Sequence, residues 1–169
     1  MSLEIERKYL VEIPNISALM ANKEVKESKI YQTYLTSKDG EERRVRARIQ
    51  PDGTHVYFYT EKRAVESSNG LVREEKERKI SENEYNSLLN EADSTLYTVM
   101  KTRYVFDHEG LTFEMDVYDF ETLYATLEVE LTSETTEVTL PPFIKIVREV
   151  TSDKRFKNKA LAKSLALPV

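Results

Sequence analysis

Charged residues recur at every second position in one segment of this chain after another, and that alternation admits little besides β-strands with one charged face. Successive strand residues point to opposite faces, so residues two apart share a face. Arg44, Arg46 and Arg48 fall together, with Val45, Ala47 and Ile49 behind them. Glu4, Glu6 and Lys8 form another such row, and Glu114 and Asp116 oppose Phe113, Met115 and Val117. Glu128 and Glu130 oppose Leu127, Val129 and Leu131. The pairs Thr60/Lys62 and Lys101/Arg103 and the row Arg73, Glu75, Glu77 repeat the pattern. An ordinary antiparallel sheet also turns polar residues to water. These faces, however, hold almost no Ser, Asn or Gln, and they gather into runs of one sign. Like charges along a strand repel, so a merely solvated face gains nothing from such runs. A site for an anion together with cations does gain from them.

The rest of the chain fits around the strands. Ser81 precedes Glu84 as a capping box, followed by Tyr85, Leu88 and Leu89 at helical spacing. Residues 15 to about 23 are predicted as a short helix with Ile16, Leu19 and Met20 on one side, and 158–165 as a last one. Pro51-Asp52-Gly53 and His108-Glu109-Gly110 read as hairpin turns, and 64–70 as a polar loop. With no internal repeat or linker, residues 1–169 are expected to form a single domain. The apolar backs need cover, yet few helices exist to supply it. A sheet curled into a barrel, polar inside and packed with helices outside, satisfies both faces, so the expected class is α+β.

Composition narrows the chemistry. There is no cysteine and only two histidines, His55 and His108, so disulfides, thiolate sites and multi-histidine zinc are excluded. Any metal rests on carboxylates, which favours hard ions such as Mg²⁺, Mn²⁺ or Ca²⁺. A net charge of -5 gives no global attraction to nucleic acid or an anionic membrane, so neither is an expected partner. No apolar run nears the roughly 20 residues of a membrane helix, and the expectation is a soluble, cytoplasmic protein. Arg and Lys suit phosphate oxygens and clustered carboxylates suit a divalent cation. One charged interior holding both suits a polyphosphate–metal complex.

Glu4-Ile5-Glu6-Arg7-Lys8 resembles the E-x-E-x-K signature of the CYTH superfamily, the triphosphate tunnel metalloenzymes. The resemblance continues in order through Arg46-x-Arg48, Thr60-x-Lys62, Arg73-x-Glu75-x-Glu77, Lys101-x-Arg103, Glu114-x-Asp116 and Glu128-x-Glu130, and ends in the stretch 149–158. It implies an eight-stranded antiparallel barrel forming a tunnel, and a need for Mg²⁺ or Mn²⁺. By motif, Glu4, Glu6, Glu128 and Glu130 are the implied metal ligands, with Glu75 and Asp116 beside them. Lys8, Arg46, Arg48, Lys62, Lys101 and Arg103 are implied to grip the triphosphate, while Arg73 either joins them or pairs with acids. Arg44 extends the row beyond the usual pair, and Arg155 and Lys157 are assigned to a terminal helix closing the tunnel. Tyr34 matches a tyrosine placed near Lys8, a dyad proposed to activate water. A free tyrosine has a pKa of ~10, and a neighbouring cation would favour its phenolate.

The implied reaction is hydrolysis of inorganic tripolyphosphate, as in small bacterial members of the superfamily. A class IV adenylate cyclase, a thiamine triphosphatase and an RNA 5′-triphosphatase are alternatives on one scaffold, and a non-catalytic polyphosphate-binding module is an alternative of another kind. Tyr57 and Tyr59 are the candidates for stacking on an organic group, against a role in the core. A homodimer is left open.

Overall fold

Each segment with a charged alternate face is a strand in the computed structural model, which describes residues 2–64 and 72–169, excepting the side chains of 2–4 and 72–73. The strands are β1 (Ser2–Glu12), β2 (Lys26–Leu35), β3 (Glu41–Ile49), β4 (His55–Ala64), β5 (Val72–Ile80), β6 (Val99–His108), β7 (Leu111–Tyr118), β8 (Tyr124–Glu130) and β9 (Ile146–Glu149). They form one sheet in the order β5-β4-β3-β2-β6-β7-β8-β1-β9, with every pairing antiparallel. β5 also pairs with β1, from Ser2 opposite Glu75 to Ile5 opposite Val72. Past that contact β1 pairs with β8 over Glu6–Glu12 and with β9 over Tyr9–Val11.

Two features depart from expectation. The sheet has nine strands rather than eight, because the chain after Pro141-Pro142 adds β9 beside β1. The helices α1 (Ile16–Met20), α2 (Glu82–Leu88) and α3 (Asn158–Ser164) have 5, 7 and 7 residues, so the protein is mostly β. Their starts follow from side-chain caps: Asn15 accepts from the Ala18 amide at 3.0 Å and Ser81 from the Glu84 amide at 3.1 Å. The Glu84 carboxylate accepts from Arg78 Nη2 at 2.6 Å, a different use from the reciprocal half of a capping box. Both expected hairpin turns are present. Gly53 sits at φ +85° in the first, and Glu109 and Gly110 both have positive φ in the second, as a primed turn requires. The expected loop over 64–70 falls, apart from Ala64, outside the described residues.

Three apolar clusters hold the strands. The largest gathers the uncharged backs of β1, β6, β7 and β8, including Tyr9, Phe106, Phe113, Met115 and Leu127, against Leu19 of α1 and Ile144. Another packs Tyr85 and Leu88 of α2 over Leu35, Val45, Tyr59 and Ile80. Tyr57 joins it, its ring centroid 4.7 Å from that of Tyr85, so Tyr57 and Tyr59 are core residues of the outer face. The third cluster lies on the charged side. Leu10, Tyr34 and Tyr118 share strand parity with Lys8, Gln32 and Asp116, and Phe156, Leu161 and Ala162 of the C-terminal segment pack on them. This segment seals one end of the charged face, and the Phe156 carbonyl accepts from Lys8 Nζ at 3.1 Å. Phe156 is wholly buried, so Phe156→Ala is expected to lower stability by about 3–5 kcal/mol, read as a drop in urea midpoint at constant slope. Among the described residues, no helix is long and apolar enough to cross a membrane.

Candidate functional site

The charged faces enclose a cavity of about 280 Å³. That is just under the range of about 300–1,000 Å³ typical of sites for drug-sized organic ligands, and it suits a compact ion better. Nearly every strand contributes by alternation: Glu6 and Lys8 from β1, Gln32 and Tyr34 from β2, and Glu42, Arg44, Arg46 and Arg48 from β3. Lys62 comes from β4, Glu75 and Glu77 from β5, Lys101 and Arg103 from β6, Glu114 from β7, and Glu128 and Glu130 from β8. Lys157 and Asn158 enter from the C-terminal segment.

The cations of this wall are held under strain. Arg46 is 6% exposed and pairs with Glu77 at 3.4 Å, near the outer limit of a useful contact. Burial pulls its pKa down, and Arg44 and Arg103 add to the effect. Arg48 is pulled down by burial and then by Arg103. An arginine does not release its proton under ordinary conditions, so these directions mean that the charged form is poorly compensated. Among the described residues, the Nε atoms of Arg46 and Arg48 are buried without a hydrogen-bond acceptor. Buried donors are normally satisfied, so these two can take an acceptor from a ligand.

The acids stand in two arrangements. Asp116 is 1% exposed and sealed behind the wall, taking Lys101 Nζ at 2.7 Å and the Arg103 guanidinium at 2.8 and 2.9 Å. Arg103 and then Lys101 hold its carboxyl well below the usual range, against the opposing effect of burial. Burial pulls Lys101 down, and Asp116 pushes back. Of these directions, that of Asp116 decides the local charge, because two donors enclose one carboxylate. Glu128 is likewise held low, chiefly by Lys8 at 2.9 Å, although burial acts the other way. The second arrangement sets acid opposite acid across the strands and overlaps the first, since Glu128 also holds Lys8 and Glu114 takes Arg103 at 2.9 Å. Glu6 is the cross-strand partner of Glu130, and Glu114 of Glu128. Like charges directly opposite destabilise a sheet unless something positive lies between them.

The low carboxyl values have a consequence for pH. A depressed folded-state pKa gives stability that is full above the ordinary value and is lost as pH falls toward the folded one. The ordinary values here are 3.8 for Asp116 and 4.5 for Glu128. The urea midpoint is therefore expected to hold down to about pH 4.5 and to fall steadily below it, with a flatter fall in Asp116→Asn.

Residues 2–162 match the family model of the CYTH domain. The chain belongs to the CYTH family. It is 35% identical over 164 residues to the inorganic triphosphatase of Nitrosomonas europaea, covering 96% of this chain and 98% of that one. The crystal structure of the inorganic triphosphatase NE1496 superposes with a TM-score of 0.60 at 34% identity, over 97% of both chains. A protein from Pyrococcus horikoshii shares the CYTH fold at a TM-score of 0.54 and 20% identity, over 77% of this chain and 80% of that one.

Among the CYTH motif residues, Glu6, Lys8, Tyr34, Arg46, Arg48, Lys62, Glu75, Lys101, Arg103, Glu128 and Glu130 all line the one cavity. Asp116 does not, being enclosed by its two cations. Arg155 is also elsewhere: it lies in the short 3₁₀ turn Lys154–Phe156, largely exposed, and pairs with Asp153 at 2.6 Å. The neighbouring Lys157 is the residue of that stretch that reaches the cavity. The side chains of Glu4 and Arg73 lie outside the described residues. His55 and His108 are not among the lining residues.

Tyr34 differs from expectation in the direction of its pKa. Burial pushes the phenol well up, and Glu42 pushes the same way, outweighing Arg44 and the hydrogen bond from Gln32. A water-activating phenolate needs the opposite shift. Gln32, Glu42 and Asn158 were not singled out from sequence: Gln32 and Asn158 carry no charge, and Glu42 lies one step before the arginine row. For Gln32 and Glu42, strand parity with Tyr34 and Arg44 was the available signal; Asn158 opens α3 and offered none.

Proposed function

We propose that this protein hydrolyses inorganic tripolyphosphate to pyrophosphate and orthophosphate in a tunnel through its sheet. In this reading β5-β4-β3-β2-β6-β7-β8-β1 closes into an eight-stranded barrel through the β1–β5 pairing, with β9 outside the ring. The observation that carries the proposal is the row of buried, mutually repelling arginines facing one small cavity, with two Nε donors lacking an acceptor. An extended chain of phosphates supplies acceptors and negative charge at several points along such a row. The named activity of the Nitrosomonas relative supports the same substrate.

Lys8, Arg46, Arg48, Lys62, Lys101 and Arg103 would grip the phosphates, and the charges nearest the scissile bridge would stabilise the departing pyrophosphate. Arg73 is assigned to the same set by its motif. The donor set fits a hard divalent cation, since it offers only carboxylate oxygens and sets Glu6 opposite Glu130 and Glu114 opposite Glu128. Among the described residues, no three such side chains are drawn together at ligating distance. Glu6, Glu128 and Glu130, with Glu4 by its motif and Glu75 lining the same cavity, would hold Mg²⁺ or Mn²⁺. That ion supplies Lewis acidity and counter-charge to the phosphates. Asp116 serves as the structural anion that keeps Lys101 and Arg103 charged and aimed. Tyr34 acts as a neutral phenol beside Lys8.

The test is phosphate release from tripolyphosphate, ATP and thiamine triphosphate in Mg²⁺ or Mn²⁺, with cyclic AMP assayed alongside. Release from tripolyphosphate far above the other two is expected, because the aromatic residues that would serve an organic group are packed under α2. Cyclic AMP, preference for an organic triphosphate, or binding without turnover would overturn the proposed reaction.

A further inference from the structure

Resting on the triphosphatase reading, we infer that Gln32 is the acceptor that holds and aims the attacking water. Gln32 is wholly buried, lines the cavity, and has an Oε1 with no hydrogen-bond donor. Its Nε2 is already committed, donating to the Tyr34 hydroxyl at 2.6 Å. One N–H of the amide is spent on that bond, and its carbonyl oxygen is the atom left without any partner among the described residues.

A donor without a partner stands on the neighbouring strand. Its Cα partner across β2–β3 is Arg46, whose Nε is also buried and unpartnered. A fully ionised phosphate chain satisfies Arg46 but sets oxygen against oxygen at Gln32. An acceptor and a donor lacking partners on paired residues call for two species side by side, one with an acceptor oxygen and one with an O–H. Water beside a phosphoryl group is that combination. Gln32 is too weak a base to take a proton, so its work is orientation. With one O–H held by Oε1, a lone pair of the water is free to face the terminal phosphorus. The water oxygen bonds to that phosphorus as its bond to the bridging oxygen breaks, and pyrophosphate leaves with the electron pair. The proton shed by the water passes to an oxygen of the orthophosphate product.

Gln32→Met keeps the size of the side chain and removes the acceptor, while Gln32→Glu keeps an acceptor there and loses the donor to Tyr34. With tripolyphosphate and Mg²⁺, Gln32→Met is expected to lower kcat about tenfold to a hundredfold, with KM within about twofold and the melting temperature near wild type. Gln32→Glu is expected to retain more of kcat and to raise KM, because its added charge repels phosphate. The kcat loss should recur in full when Gln32→Met is placed on Tyr34→Phe. A raised KM at normal kcat in Gln32→Met would mean that Gln32 binds substrate instead. Loss of its effect in the Tyr34→Phe background would mean that it only holds the phenol. Either result overturns the inference, as does an unchanged Gln32→Met, and Gln32→Glu decides if the methionine variant does not fold. A wild-type protein that releases no phosphate overturns the triphosphatase reading and this assignment together.

Discussion

Asp116→Ala is expected to melt about 6–20 °C below the wild type, the largest stability loss from one substitution in the charged interior. The carboxylate accepts from Lys101 and Arg103 at 2.7–2.9 Å, and all three groups are nearly or wholly buried. Removing one member of a buried ion cluster leaves the others without compensation, at about 3–5 kcal/mol. In a domain of this length each kcal/mol moves the midpoint by about 2–4 °C. Arg103 keeps Glu114 at 2.9 Å, but Lys101 is left with little beyond Asn158 at 3.4 Å and the Tyr118 ring. A metal-ligand role for Asp116 predicts the reverse, since deleting one of several crowded acids relieves repulsion. Thermal unfolding in EDTA separates the two: a large drop supports the structural role, and an unchanged or raised midpoint excludes it.

Arg46→Met is expected to show the opposite signature, with a large loss of activity and little or no loss of stability. The methionine keeps the apolar stem that runs along the strand and removes a guanidinium burdened by burial and by Arg44 and Arg103. Without an anion that charge is a liability, and its distant contact with Glu77 offsets little of it. Under the proposed function the guanidinium would meet phosphate oxygens that gain charge as the bridge breaks. Removing one preorganised donor of that kind lowers kcat about 100- to 1,000-fold. Steady-state kinetics with tripolyphosphate, paired with a melting curve, checks both halves. A variant destabilised in proportion to its lost activity would make Arg46 a structural residue.

The strand faces were legible in the sequence because period-2 alternation survives without knowledge of the partners: rows such as Arg44–Arg48 and Glu128–Glu130 face the cavity as read. Turn chemistry was legible at Gly53 and Gly110, and capping at Ser81, since each rests on a local conformational need. Depth within the cavity was not. Glu114 and Asp116 share a face, yet one lines the cavity and the other is enclosed by Lys101 and Arg103. Alternation reports which side a residue takes and nothing of how far in it lies. The resemblance named Arg155 and Lys157 alike, and alternation could not tell that Lys157 lines the cavity while Arg155 pairs with Asp153 at the surface. β9 was missed because four exposed or half-buried residues give too short a pattern to read. Gln32 escaped because a search for charge passes over an amide, although its burial between donors makes it the unusual polar group of the wall.

The most direct measurement is a phosphorus NMR time course of tripolyphosphate with purified protein, first in Mg²⁺ and then after EDTA. The expected spectra show tripolyphosphate lost as pyrophosphate and orthophosphate appear in equal amounts, with the reaction stopping on chelation. A tripolyphosphate signal that broadens on binding but does not decline in Mg²⁺ or Mn²⁺ would contradict a hydrolytic tunnel and leave only a site that binds.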